Sequence, residues 1–157
     1  MRIGIGYDVH PSDATRALYL GGVRIDGSPG LRGHSDADAL LHAVIDALLG
    51  AAGLGDIGQH FPPDDPAYKD IDSRELLRKA RDLLEEKGYH VGNVDATIVA
   101  EKPRLSPCLP AMRWPSVGMP SAGQSLKPSQ PTLTSRCAAR KSAPSQPGCP
   151  LSWHPAR

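Results

Sequence analysis

Strict alternation of apolar and small or polar residues from Ile3 to His10 predicts a β-strand at the start of the chain. The apolar face consists of Ile3, Ile5, Tyr7 and Val9. The opposite face consists of Gly4, Gly6, Asp8 and His10. Because glycines leave that second face almost bare, another backbone or a ligand can approach it closely. A carboxylate and an imidazole therefore project side by side at the end of the predicted strand.

The stretch from Gly33 to Asp46 is predicted to begin a helix, and it carries two histidines and three of the chain's carboxylates. Apolar residues recur at three- and four-residue steps, which is typical of one buried helix face. These residues are Leu41, Val44, Ile45, Leu48 and Ala52. Asp38, His42 and Asp46 follow each other at four-residue steps, so they are predicted to form a polar stripe along the same helix.

The remaining pattern predicts further strands, loops and one more helix. Residues 18–25 are typical of β structure with a bulge or turn at the glycine pair, residues 26–30 of a loop, and residues 53–58 of a helix stop followed by a loop. Residues 61–66 are proline-rich and irregular. Asp72 and Glu75 have capping-box spacing before a helix that ends near Gly88. Its apolar face is predicted to contain Leu76, Leu77, Ala80, Leu83 and Leu84, and residues 94–100 form a last alternating strand.

Composition divides the 157 residues into two parts. The 18 basic and 17 acidic side chains nearly balance, which gives no reason to expect nucleic-acid or membrane binding. The two kinds of charge are distributed differently, because all 17 acidic side chains lie between Asp8 and Glu101 and residues 1–113 hold 13 of the 18 basic ones. Residues 114–157 contain 8 Pro and 8 Ser among 44 positions and no Asp or Glu. We therefore predict a domain over 1–113 and a disordered tail over 114–157.

Cysteine usage and the absence of an apolar leader pattern favour a soluble protein in a reducing, cytoplasmic compartment. Cys108, Cys137 and Cys149 are odd in number and have no metal-ligand spacing.

Asp8, His10 and the helical His42 form a candidate oxygen and nitrogen ligand set for a divalent metal, with an open position of the kind found in catalytic sites. Two plainer interpretations stay open at this point. The helix stripe could be a solvated face whose histidine and carboxylates pair with each other, and Asp8 and His10 could be unrelated surface residues.

Over residues 1–113 the chain resembles the 2-C-methyl-D-erythritol 2,4-cyclodiphosphate synthase family of the non-mevalonate isoprenoid pathway. The resemblance is carried by the order and spacing of several short motifs. They are Gly6-Tyr7-Asp8-Val9-His10, Gly21-Gly22-Val23-Arg24-Ile25, His34-Ser35-Asp36-Ala37-Asp38 with His42, Leu54-Gly55-Asp56-Ile57-Gly58, Phe61-Pro62 with Asp65, Asp72-Ser73-Arg74-Glu75-Leu76-Leu77, and Gly92-Asn93-Val94-Asp95.

The resemblance implies an α+β fold with a mixed sheet packed against helices, assembled as a homotrimer with active sites between subunits. It further implies a lyase that binds Zn²⁺ through Asp8, His10 and His42, and that uses Mg²⁺ or Mn²⁺ as well. The small-molecule substrate would be 4-diphosphocytidyl-2-C-methyl-D-erythritol 2-phosphate, whose 2-phosphate attacks the β-phosphorus and expels CMP.

The same resemblance assigns roles to individual residues. His34 and Ser35 would contact substrate phosphate, with His34 acting in catalysis, and Asp8, Val9 and His10 would also lie against the substrate. The methylerythritol part would face Asp56, Ile57, Gly58, Phe61, Pro62, Pro63, Asp64 and Asp65. The cytidine pocket would be lined by Ala100, Glu101, Lys102, Pro103, Arg104, Leu105 and Ser106.

The sequence departs from the family pattern at Pro63, Asp64 and Cys108, and above all after Arg113. The family's next helix, its Thr-Thr-x-Glu segment with the second metal's carboxylate, and its final strand are expected to be missing. We interpret residues from about Trp114 onward as the product of a shifted reading frame, which predicts poor solubility, weak trimerisation and little activity. A different zinc enzyme acting on phosphate esters, or a catalytically inactive metal- or nucleotide-binding remnant, are the alternative functions.

Overall fold

A computed structural model describes residues 1–105 in full and the backbone of residues 134–139. Five strands and three α-helices lie in these ranges. In chain order they are β1 Arg2–Gly6, β2 Ser12–Leu20, β3 Val23–Leu31, α1 Ala39–Ala52, α2 Ile57–His60, α3 Ser73–Glu86, β4 Val91–Thr97 and β5 Thr134–Ala139, with a short 3₁₀ turn at Pro66–Tyr68 between α2 and α3.

The strands form a three-stranded sheet in the order β1-β5-β4 and a separate β2-β3 hairpin. The predicted α+β class is confirmed, but every described strand pair is antiparallel where a mixed sheet was expected. The reason is that β5 runs between β1 and β4 and opposite to both.

Strand β5 also corrects the expectation that no strand follows residue 113. Residues 134–139 pair along the whole of β1 and with most of β4, so β5 joins these two strands into one sheet. The sequence of this segment has no apolar alternation, and its pairing partners lie more than 35 residues away, which periodicity cannot show. The rest of the predicted tail lies outside the described residues.

Helix α1 is the centre of the core and confirms the predicted apolar face, since Leu41, Val44, Ile45 and Leu48 are at most 1% exposed. It packs between the sheet and α3, whose apolar face was also predicted. The cluster around α1 includes Leu76, Leu77, Ala80, Leu84 and Val94. Burying a side chain of this size stabilises the fold by about 1.5–3 kcal/mol, so α1 contributes a large share of the stability.

The two glycines of β1 confirm the predicted bare face. A Cβ atom at Gly4 would lie 1.9 Å from the carbonyl oxygen of Ala47, and one at Gly6 would lie 1.8 Å from that of Ala43. The backbone of α1 therefore rests directly on β1. This contact fixes the distance between the end of β1 and the first turns of α1.

The hairpin shows that one predicted loop is wrong. Residues 26–30 belong to β3 rather than to a loop, with Pro29 paired opposite Ala17. Proline and the left-handed Gly27, at a φ of 77°, are tolerated because a two-stranded hairpin has an open edge on either side and its register shifts near Ala17. The glycine pair at 21–22 forms the predicted turn.

Helix α1 begins at Ala39, later than the stretch from Gly33 suggested, and Asp38 is its N-cap. The fully buried Asp38 carboxylate accepts the backbone N–H groups of Leu41, Gly21 and Gly22. Asp38 is therefore not part of a polar stripe with His42 and Asp46, because a carboxylate satisfies the free N–H groups of a helix start and of a neighbouring turn. The helix ends as predicted at a left-handed Gly53.

Across the described part of the chain, no helix combines the length and apolar character needed to cross a membrane.

Candidate metal centre

Asp8, His10 and His42 converge on one point, as predicted. The first two follow β1, and His42 lies in the first turn of α1, which the glycine contacts hold against the strand. Asp8 Oδ2 is 2.8 Å from His10 Nε2 and 3.1 Å from His42 Nδ1, and these two nitrogens are 3.1 Å apart. Among the described residues, this is the one group of three or more potential ligand side chains close enough to share a metal ion.

The backbone orients two of these groups toward the shared point. His10 Nδ1 lies 2.7 Å from the Arg32 carbonyl oxygen, which can only accept, so Nδ1 carries the proton and Nε2 presents a lone pair. The Val9 N–H donates to Asp8 Oδ1, leaving Oδ2 directed at the histidines. A carboxylate oxygen and an imidazole lone pair thus face each other 2.8 Å apart, a separation at which a proton or a metal ion must join them.

The pKa shifts agree with that requirement. Burial pushes the pKa of Asp8 upward, but hydrogen bonds and charge interactions with His10 and His42 outweigh it and hold this pKa well below its usual range. The hydrogen bond to Asp8 raises the pKa of His10 despite partial burial. Without a metal, a shared proton satisfies the pair. The same carboxylate and two imidazoles could hold a divalent metal ion in place of that proton.

His34 lies outside this group, as expected, on a loop that other residues hold rigidly. Its backbone carbonyl accepts the Asp70 N–H at 2.7 Å, and the Arg16 guanidinium donates to the carbonyl oxygens of Gly33 and Ser35. The His34 Nε2–H donates to the carbonyl oxygen of Asp65 at 3.2 Å. His34 is therefore joined to the loop over residues 61–65 instead of to the metal ligands.

Comparison with known proteins agrees with this geometry. The YgbB family model matches residues 1–115. The chain belongs to the YgbB family.

The chain is also similar to curated proteins named 2-C-methyl-D-erythritol 2,4-cyclodiphosphate synthase. It is 58% identical over 112 residues to the Porphyromonas gingivalis protein, covering 71% of this chain and 69% of the relative. It is 62% identical over 112 residues to the Ralstonia nicotianae protein, covering 71% and 67%.

The fold is also similar to that of solved structures. A 2C-methyl-D-erythritol-2,4-cyclodiphosphate synthase in a CDP-bound form superposes with a TM-score of 0.76 at 34% identity, over 88% of this chain and all of the other. The bifunctional IspDF from Campylobacter jejuni gives a TM-score of 0.77 at 33% identity over 88% of this chain and 41% of its own.

Within the YgbB-family fold, the segment at 56–58 begins α2 and is not only the loop expected. Asp56 caps this helix by accepting the Gln59 N–H, and Asp46 of α1 accepts the Ile57 N–H at 2.8 Å. Burial raises the pKa of Asp46, although the hydrogen bond from Ile57 opposes the shift. Asp46, one of the three residues of the predicted stripe, is therefore paired with the backbone at Ile57.

The predicted segments 61–65 and 100–105 each contribute one buried residue to a different apolar cluster. Phe61 is buried, with its ring 5.5 Å from that of Tyr68, and Asp65 caps the 3₁₀ turn. Leu105 is buried in a second apolar cluster with β2, β3 and Ile98. Ser106 lies outside the described residues.

Sequence analysis missed several residues that hold this YgbB-family site in shape. Arg16 secures the His34 loop, the Arg32 carbonyl sets the His10 tautomer, and Ser73 lies 2.9 Å from His42 Nε2. For helix α3 the sequence predicted an apolar face and no role at the site. The signal that could have identified Ser73 is its place directly after the N-cap Asp72, at the start of a helix whose next apolar residues are buried.

Proposed function

We propose that this chain is a 2-C-methyl-D-erythritol 2,4-cyclodiphosphate synthase that converts 4-diphosphocytidyl-2-C-methyl-D-erythritol 2-phosphate to the cyclic diphosphate and CMP. The observation that carries the proposal is the convergence of Asp8, His10 and His42 in a member of this family. An oxygen of the 2-phosphate forms a bond to the β-phosphorus. The bond from that phosphorus to the oxygen bridging it to the α-phosphate breaks, and CMP leaves with the electron pair.

Catalysis in this reaction rests on positioning and on neutralising phosphate charge. Asp8, His10 and His42 would hold Zn²⁺, which when bound supplies Lewis-acid neutralisation of the reacting phosphates. We assign the loop that contains His34 and Ser35 to the substrate phosphates. Residues 56–58 and 61–65 are assigned to the methylerythritol part, and residues 100–106 to cytidine. No described residue group beyond the first offers a set of three ligands for Mg²⁺ or Mn²⁺, so we assign none to a second metal.

The test is to incubate the purified full chain with the proposed substrate, zinc and magnesium, and to follow CMP by chromatography and the cyclic product by phosphorus NMR. We expect one CMP for each cyclic diphosphate, with only slow turnover if the shifted reading frame predicted after Arg113 is correct. Hydrolysis of simple phosphate monoesters without cyclisation would instead identify a different zinc enzyme. Binding of zinc or CMP without turnover would identify a non-catalytic remnant.

Replacing His34 with alanine should abolish most turnover while leaving zinc binding intact. The side chain contacts Asp65 and not the metal ligands, so zinc should stay bound. We assign the imidazole to the reacting phosphates, and loss of one such donor should lower kcat by about 100- to 1,000-fold. Zinc content by atomic absorption and CMP release report the two properties separately. A His34→Ala protein that loses its zinc would show that the ligand assignment is wrong.

The exposed apolar face of β1 supports a homotrimer. Ile3 is 70% exposed, Ile5 66%, Tyr7 52% and Val9 58% in the single chain, a concentration that monomers seldom leave in water. We assign this face to the contact between three copies, which a family with active sites between subunits requires. A cytoplasmic location is the accompanying proposal.

Replacing Ile5 with lysine should convert the trimer to monomers, because three-fold symmetry would place three uncompensated charges in one apolar contact. Light scattering on a sizing column measures the mass. The control is Ala14→Lys, which adds the same charge at an exposed position on β2. A trimer that survives Ile5→Lys, or that is lost equally in the control, contradicts the assignment.

A further inference from the structure

We propose that Ser73, backed by Asp36, is a positioning residue that fixes which nitrogen of His42 faces the metal. This inference rests on the metal site of the proposed function. Ser73 is fully buried at the first position of α3, and its Oγ lies 2.9 Å from His42 Nε2. The first position of a helix does not by itself explain why this serine contacts a predicted metal ligand.

The direction of each hydrogen bond follows from counting protons. The Ser73 hydroxyl has one proton, which it donates to Asp36 Oδ1 at 2.5 Å, since that carboxylate oxygen can only accept. Ser73 therefore offers a lone pair to His42, and His42 Nε2 must carry the proton. The lone pair of His42 is then on Nδ1, the atom that faces Asp8 Oδ2 and His10 Nε2.

Asp36 is itself held in place by the backbone. Its Oδ2 accepts the Ser73 N–H at 3.1 Å and its Oδ1 accepts the Asp38 N–H at 3.2 Å. The chain Asp36, Ser73, His42 thus joins the start of α3 to the metal ligand on α1. A histidine ligand usually donates its second N–H to a fixed acceptor, which sets its tautomer and ring orientation.

The hydroxyl of Ser73 has no part in capping α3. Asp72 is the N-cap and accepts the Arg74 N–H at 2.8 Å, and Asp36 accepts the N–H of Ser73 itself. Both contacts involve the backbone of α3, so Ser73→Ala keeps them. Ser35 Oγ also lies 3.0 Å from His42 Nε2, and it accepts the Ala37 N–H at 3.1 Å. Its own proton has an acceptor in Ser73 Oγ at 3.3 Å, so both hydroxyl oxygens can accept the His42 Nε2–H.

The experiment compares the full-length chain with its Ser73→Ala and Asp72→Ala variants. Zinc affinity is measured by competition with a chromophoric chelator, and histidine tautomers by two-bond proton–nitrogen NMR on protein labelled in histidine. We expect Ser73→Ala to bind zinc about 10- to 100-fold more weakly and to lose the slowly exchanging His42 Nε2–H signal. Asp72→Ala weakens the start of α3 by removing its cap, yet should keep both properties.

Three results would overturn the proposal. The first is unchanged zinc affinity in Ser73→Ala, which leaves the metal site and the proposed function intact. The second is an equal loss in Asp72→Ala, which would make the effect one of helix stability. The third needs no variant: a proton on His42 Nδ1 in the zinc-loaded, unmodified chain excludes the arrangement even if Ser73→Ala fails to fold. An unmodified chain that binds no zinc overturns the metal site and this inference together.

Discussion

His42→Ala is expected to lose stoichiometric zinc. The structure leaves Asp8 and His10 as the remaining ligands, and two protein ligands do not complete a site of this kind. Loss of a supporting residue beyond the ligands costs about 10- to 100-fold in affinity, so loss of a ligand should cost more than about 100-fold. Equilibrium dialysis followed by metal analysis measures the effect.

Thermal unfolding gives a second and independent readout of the same variant. Zinc that binds only the folded chain raises the midpoint of unfolding, and the rise depends on the zinc concentration. The unmodified chain should show this rise and His42→Ala should not. His90→Ala is the matched control, because His90 is an exposed histidine outside the group of ligands. Full zinc occupancy in His42→Ala, or loss of zinc in the control, contradicts the site.

The ligand set could be predicted because each of its parts has a local signature. Alternation places Asp8 and His10 at the end of a strand, and helical spacing places His42 beside an apolar face. That the two groups meet depends on Gly4 and Gly6, whose missing side chains let α1 contact β1. The sequence shows that one face of this strand carries glycines, but it does not show which element packs against that face.

Asp38 shows why helical spacing alone misplaced one carboxylate. It falls four residues before His42, yet it precedes the first helical residue and is buried against the turn of the β2-β3 hairpin. The hydrogen bonds that decide its role come from Gly21 and Gly22, which are 17 and 16 residues away. Spacing within one element carries no information about such partners.

The same limit applies to Ser73 and to β5. Ser73 meets His42 across 31 positions of the chain, and a buried serine leaves no periodic signal. Residues 134–139 were assigned to a tail because of composition, whereas a strand between two others needs only backbone N–H and carbonyl groups to pair. The domain boundary at 113 and the shifted reading frame stay predictions.

The contact between β1 and α1 is the part of the fold with the least room for change. A methyl group at Gly6 would lie 1.8 Å from the Ala43 carbonyl oxygen and 2.7 Å from the Ala47 nitrogen. Both are backbone atoms inside α1, so no side chain can move aside to admit it. Either β1 or the whole of α1 must shift.

Gly6→Ala should therefore reduce both stability and zinc affinity. Overpacking of a core costs about 1–3 kcal/mol and more where backbone must move, so we expect a loss of about 3 kcal/mol or failure to fold. Because Gly6 is two residues from Asp8 and contacts the turn after His42, any shift also separates the ligands. Urea unfolding and zinc titration measure the two effects. The control is Gly50→Ala in α1, where a Cβ meets nothing within 4 Å and alanine should stabilise the helix by up to about 1 kcal/mol. A Gly6→Ala protein as stable as the unmodified chain would show that α1 does not rest on β1 as described.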